Sequence, residues 1–286
     1  MARMRTSTAT SDRPRHESPE VTARPFNVRR IVALTLRDAA MALREPSTLA
    51  CYLLGTVGIA FFGSIATVEN NAELARLSSA WIVFLAIAIV VTSTVATHLA
   101  NTIIRENGHG DYLTLVRCGV CPSEIVAAKL IAALGVNAIA SMLALLAIDT
   151  LCPVAASHTV RTPECLAALL VAGCVGGAPL IVGSIGPSLR SRDFARDGWW
   201  VVIPTTLAIV PVVAMISPEL AAPLALLPMG PAGELIFSAC TGRAPTLPPA
   251  ALAAVFAFWC IVSSGLLVRA ARRFSRSIVH EAATTH

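Results

Sequence analysis

The sequence predicts an all-α integral membrane protein with six transmembrane helices. Three observations carry that expectation. Charged residues make up only 14% of the 286 residues and hydrophobic ones 55%, where soluble domains carry about 25% charge; the mean hydropathy is +0.71. Six runs free of Asp, Glu, Lys and Arg cover residues 46–68, 77–104, 130–148, 165–189, 198–218 and 244–268. Each is long enough for a bilayer core, which takes roughly 20 apolar residues. Finally, basic residues gather in alternate connections.

The N-terminal residues 1–27 hold Ser, Thr, several arginines and three prolines but no apolar run. They read as a disordered tail. A cleavable leader needs an apolar core, so this end is expected to stay in the cytoplasm. Residues 28–286 then form one membrane domain, with spans at about 47–68, 79–102, 127–148, 165–188, 198–217 and 248–268. In that arrangement 19 of the 22 basic residues lie inside and only Arg76, Arg161 and Arg243 outside. The positive-inside rule therefore places both termini of a multi-pass protein in the cytoplasm, and the bacterial cell (inner) membrane is its expected location. The net charge of +5 is spread over these connections rather than over one face of a soluble fold, which excludes nucleic acid as the partner.

Before the first span, residues 28–45 have helical periodicity. Val28, Ile31, Val32, Leu36, Ala39, Ala42 and Leu43 share one arc, and Arg30, Arg37 and Arg44 lie opposite. This is an amphipathic interfacial helix with its apolar side on membrane lipid, an anchor, a surface for a cytoplasmic partner, or both. Pro46 ends it. The fourth span contains Gly173, Gly176, Gly177, Pro179, Gly183, Gly186 and Pro187, residues suited to close helix packing and kinks. The proline-rich stretch 218–247 holds apolar pieces too short to span, read as a re-entrant helix pair or a covered loop before the last span. Cys152, Cys165 and Cys240 fall near the expected outer face, where pairing is open to them.

The connection between spans two and three is the most structured. Arg105 and Glu106 close span two, and Gly108 and Gly110 permit a sharp turn. Residues 111–117 form a short surface helix with Leu113 and Leu115 or Val116 buried. Pro122 and Ser123 restart a helix with Glu124 in its favourable first turn, and Lys129 snorkels as span three opens.

This order resembles the permease subunits of ABC-2-type exporters: Arg-Glu, a glycine turn, a short Leu-containing helix, a Pro/Ser restart and a Lys. The six spans, interfacial helix and re-entrant segment fit the same family over residues 28–276, although a Glu is usual there where Tyr112 to Thr114 stand. The resemblance implies a coupling segment of Arg105, Glu106, Gly108, Gly110, Asp111, Leu113, Leu115 and Arg117, docking on a separate P-loop ATP-binding subunit. It also implies a second permease copy or a homologous permease. Residues 115–122 resemble FtsX/MacB-type permeases as well, which normally have four spans and a large outer domain.

The chain has no Gly-x-x-x-x-Gly-Lys-Ser/Thr, so no ATPase activity and no cofactor of its own are expected; ATP and Mg would sit on the partner. No catalytic triad pattern occurs. Cys118 and Cys121 form a C-x-x-C without a second ligand pair or a redox-fold context, so no metal is expected. No carboxylate or basic residue falls within the charge-free runs, and His98, near the inner end of span two, reads as a helix-end polar contact. That argues against a proton-coupled carrier. The expected function is export of a hydrophobic or amphiphilic cargo, such as a drug, antibiotic, lipid-like molecule or peptide. A secondary carrier and an FtsX/MacB-like membrane regulator are the alternatives.

Overall fold

The computed structural model describes residues 27–46, 49–53, 55, 57–58, 72–151, 163–192, 203, 206–208, 210 and 218–284. Among them the chain is helical throughout, without strands. The tail at 1–27 lies outside the described residues except for Asn27, as do Cys152 and most of the expected first and fifth spans.

Among the described residues, four helices are long and apolar enough to cross a membrane: Arg76–His109, Pro122–Thr150, Pro163–Ser188 and Pro249–Thr284. They correspond to the second, third, fourth and sixth expected spans and fit a multi-pass membrane protein. α1 (Val28–Arg44) precedes them. The second span is α2 (Ala72–Leu85), a π-wound stretch Ala86–Ser93 and α3 (Thr94–His109). After α4 (Asp111–Arg117) comes α5 (Pro122–Leu151). The fourth span breaks into α6 (Pro163–Val175) and α7 (Ala178–Ser188). A single 3₁₀ turn Pro218–Leu220 and α8 (Ala221–Leu224) lead to α9 (Gly230–Thr241). α10 (Pro249–Thr284) ends the fold.

The break in the fourth span has a local cause. A Cβ on Gly177 would lie 2.5 Å from Thr92, and one on Gly176 2.5 Å from Ala232, so only glycines let the chain turn there. Asn137 and Ser141 of α5 take up the carbonyls at this turn: Asn137 Nδ2 donates to Gly173 O (3.2 Å) and Cys174 O (3.4 Å), and Ser141 Oγ to Gly173 O (2.8 Å). Thr92, in the π-wound stretch, donates to Asn137 Oδ1 at 3.2 Å. π-wound stretches inside α-helices are rare and frequently mark functional sites.

Two apolar cores flank this polar contact. One gathers Phe84, Ile87, Met229 and Ile236 around α2 and α9. The other gathers Ile103, Tyr112, Ile125, Ile181, Ile185 and Phe274 around α3, α4, α5, α7 and α10. α9 has 12 residues, about 18 Å at 1.5 Å per residue, and packs against α2 and α6. Its Glu234 is satisfied by the Thr246 amide and hydroxyl, at 2.7 and 2.9 Å. No disulfide joins Cys165 and Cys240.

Candidate functional site

α1 has three faces rather than two. At 100° per residue, Val28, Val32, Leu36 and Leu43 share an arc that stays exposed. Arg30, Arg37 and Arg44 occupy a second. Ile31, Asp38 and Ala42 form a third, which is buried as α1 packs along α5. The lone carboxylate of α1 is thus carried into the protein.

There it meets charges from two other elements. Lys129 of α5 is 2% exposed, Asp38 8% and Glu106 of α3 7%. Lys129 Nζ stands 3.1 Å from Asp38 Oδ2 and 2.8 Å from Glu106 Oε2. These are ionic contacts, without hydrogen-bond alignment at Nζ. Arg37 adds a second cation from the rim. Its NH2 lies 2.9 Å from Asp38 Oδ1 and 3.5 Å from Glu106 Oε1. Two cations and two anions cancel, the condition under which charges tolerate burial. Burial opposes the charge on Arg37, but the carboxylates of Asp38 and Glu106 outweigh it and raise its pKa above the ordinary arginine value.

Lys129 therefore does not snorkel towards water. Two buried carboxylates hold it inward, overriding its position near a span end. Glu106, expected at the surface of a coupling segment, is buried beside it. Gly108 sits within α3 rather than in a turn, and a Cβ on it would come 2.8 Å from the Arg192 carbonyl. Gly110 makes the turn alone, with φ +78°, a left-handed cap between α3 and α4.

α4 forms over the expected residues. Tyr112 is its buried side chain, while Leu113, Leu115 and Val116 are half-buried. The Tyr112 ring meets Phe274 of α10 edge-on, 5.5 Å between centroids. Burial, with the Glu106 carboxylate adding to it, pushes the Tyr112 phenol well above its ordinary pKa. Arg105, Asp111 and Arg117 are exposed. The segment thus presents polar residues outward and anchors inward to α10 and the charge cluster.

Further contacts fasten α1 to the start of α5. Glu124 is fully buried; its Oε2 accepts the Cys121 amide at 3.0 Å and its Oε1 the Asn27 amide at 2.7 Å. One carboxylate caps the N-terminus of α5 and holds the entry of α1. Arg30 NH1 donates to Gly119 O at 2.7 Å. Arg44 lines a cavity of about 330 Å³ between α1, Tyr52, α3 and α5. Val95, Leu99, Ala132, Ala133 and Val136 form its apolar wall, while Asp38, Glu45, His98, Arg105 and Lys129 add charged and polar groups. His98 Nδ1 lies 2.9 Å from Glu45 Oε2, the helix-end contact expected of it.

Sequence reasoning missed Asp38, and with it the cluster. The available signal was its phase on α1, where it falls with Ile31 and Ala42 rather than with the arginines. No family model matches the chain, and no curated protein matches it in sequence.

Proposed function

We propose that the chain is the membrane-spanning subunit of an ATP-driven exporter of the ABC-2 permease type, energised by a separate P-loop ATP-binding subunit that carries ATP and Mg. One observation carries this reading. α4 is a short helix between two spans, with Asp111 and Arg117 outward beside Arg105 of α3; it is tied through Tyr112 to α10, and the end of α3 that leads into it is tied through Glu106 to α1 and α5. A partner that pushes on α4 pushes on three helices at once. In this reading six spans cross a bacterial inner membrane with both termini in the cytoplasm, and α9 is the re-entrant element on the far side. Two copies, or one copy and a homologue, enclose a path for a hydrophobic or amphiphilic cargo.

The test is to purify the tagged chain with its chromosomal neighbours and measure ATP hydrolysis. A co-purifying P-loop ATPase whose rate responds to Gly110→Val supports the reading. Absence of any ATPase, with transport in vesicles intact, overturns it.

A second reading, a proton-coupled carrier, is favoured by one feature. His98, Glu45, Asp38 and Lys129 all line the 330 Å³ cavity. Transport that a protonophore abolishes and ATP depletion leaves unchanged would select it.

A further inference from the structure

α10 divides its length and its circumference in a way that neither the charge cluster nor the coupling segment uses. Ser263, Leu267, Ala270, Phe274 and Ile278 are buried and fall on one arc at 100° per residue. The opposite arc forms a continuous ridge of i+3 and i+4 steps: Phe258, Ile261, Gly265, Arg269, Arg272 and Arg276. Its first part is apolar and exposed, and only 17% of the helix's apolar window is buried. Its last part is basic and exposed.

A groove of about 290 Å³ runs along this ridge, walled by Gly265, Val268 and Arg269, Arg272, Arg273 and Arg276. A Cβ on Gly265 would meet nothing within 4 Å, so the groove floor is bare backbone. Arg273 also reaches a second pocket, of about 240 Å³, where α10 meets Asn107 and the end of α7 and where Arg190 and Arg192 add their charge. Arg192 is paired with Glu281. The four α10 arginines have no ion-pair partner among the described residues.

We infer that this ridge binds an anionic phospholipid, with the phosphate on Arg269, Arg272 and Arg276 and an acyl chain along Gly265, Ile261 and Phe258. The order fits the molecule: head and chain follow each other along one helix face as polar and apolar groups do in a lipid. Arginine clusters just beyond an apolar span, and basic pockets between spans, suit acidic headgroups. A second copy of this chain is a poor occupant, because a two-fold contact through this face would oppose four arginines to four. The inference does not depend on transport or on an ATPase.

The test purifies the full chain from vesicles of phosphatidylcholine with one-fifth phosphatidylglycerol and quantifies retained lipid by native mass spectrometry. Wild type should retain phosphatidylglycerol well above its bulk share, and inorganic phosphate should not displace it. Each arginine near an acidic membrane surface is worth about fivefold, so R269Q/R272Q/R276Q should lower retention at least tenfold. The charge-matched control R29Q/R76Q/R243Q, exposed arginines away from the ridge and the coupling segment, should keep it. Gly265→Leu fills open space without disturbing the fold and should lower retention severalfold, which keeps the inference testable if the triple variant is unstable. Retention equal to bulk composition, displacement by free phosphate, or equal loss in the control would each overturn the site.

Discussion

At the basic end of the bundle, Asp38, Glu106, Lys129 and Arg37 make ionic contacts, and three of them are almost fully buried. Near the middle of the spans, Thr92, Asn137 and Ser141 are equally buried but neutral. The two regions solve one problem with different chemistry. A full charge deep in hydrocarbon costs several kcal/mol even when partly relieved, so the span interior uses amides and hydroxyls to meet the carbonyls freed by the Gly176–Gly177 turn. Among the described residues, buried ion pairs gather where α1 closes over the ends of α3 and α5, with Arg37 half in solvent. The contrast teaches that α1 is part of the fold: its third face supplies a charge without which Lys129 and Glu106 lose their balance.

Removing the shared cation should break the comparison most. Lys129→Met leaves Asp38 and Glu106 without their central partner and should destabilise the protein by roughly 3–5 kcal/mol, read by thermal or denaturant unfolding in micelles. Lys129→Arg should recover part of that. A loss near zero would mean that water from the adjoining cavity replaces the lysine. Asn137→Leu should cost less, about 1–3 kcal/mol, because it leaves neutral carbonyls unmet; a cost above that of Lys129→Met would invert the ranking of the two regions. Gly110→Val forces a branched residue into left-handed backbone and should cost about 1–2 kcal/mol. It should also change protease accessibility at the α3–α4 junction while leaving the Asn137 contact undisturbed.

The Tyr112 phenol supplies the smallest effect. Its pKa in the fold is above the unfolded value, so the stability it contributes is full below about pH 10 and is lost as pH rises through the folded value. The chain has only two tyrosines. In a Tyr52→Phe background, tyrosinate absorbance should therefore appear only above the ordinary phenol range, or together with unfolding. Titration near pH 10 with the fold intact would show that Tyr112 is open to water.

The helical, membrane-type fold and four of the six expected spans were legible because hydropathy and length depend on local sequence alone. The Gly110 turn, α4 and the Glu124 cap were legible for the same reason, since each is set by residues a few positions apart. The charge cluster was not. Periodicity assigns Asp38 a face but does not say which helix covers that face, and Lys129 at a span end reads as solvent-seeking until two carboxylates are known to lie behind it. The π-wound stretch was equally hidden: Ala86–Ser93 carries no glycine or proline, and its winding is tied to a contact with Asn137 on another helix.

The claim that α1 is locked to the spans by paired charge is tested most directly by a double-mutant cycle on Asp38→Asn and Lys129→Met, with unfolding free energies measured in the same micelles. The account predicts strong coupling: the double variant should be about as stable as the worse single variant, or more stable, because removing the second charge relieves the first. Additive losses, with no coupling beyond the few tenths of a kcal/mol expected of independent sites, would contradict it.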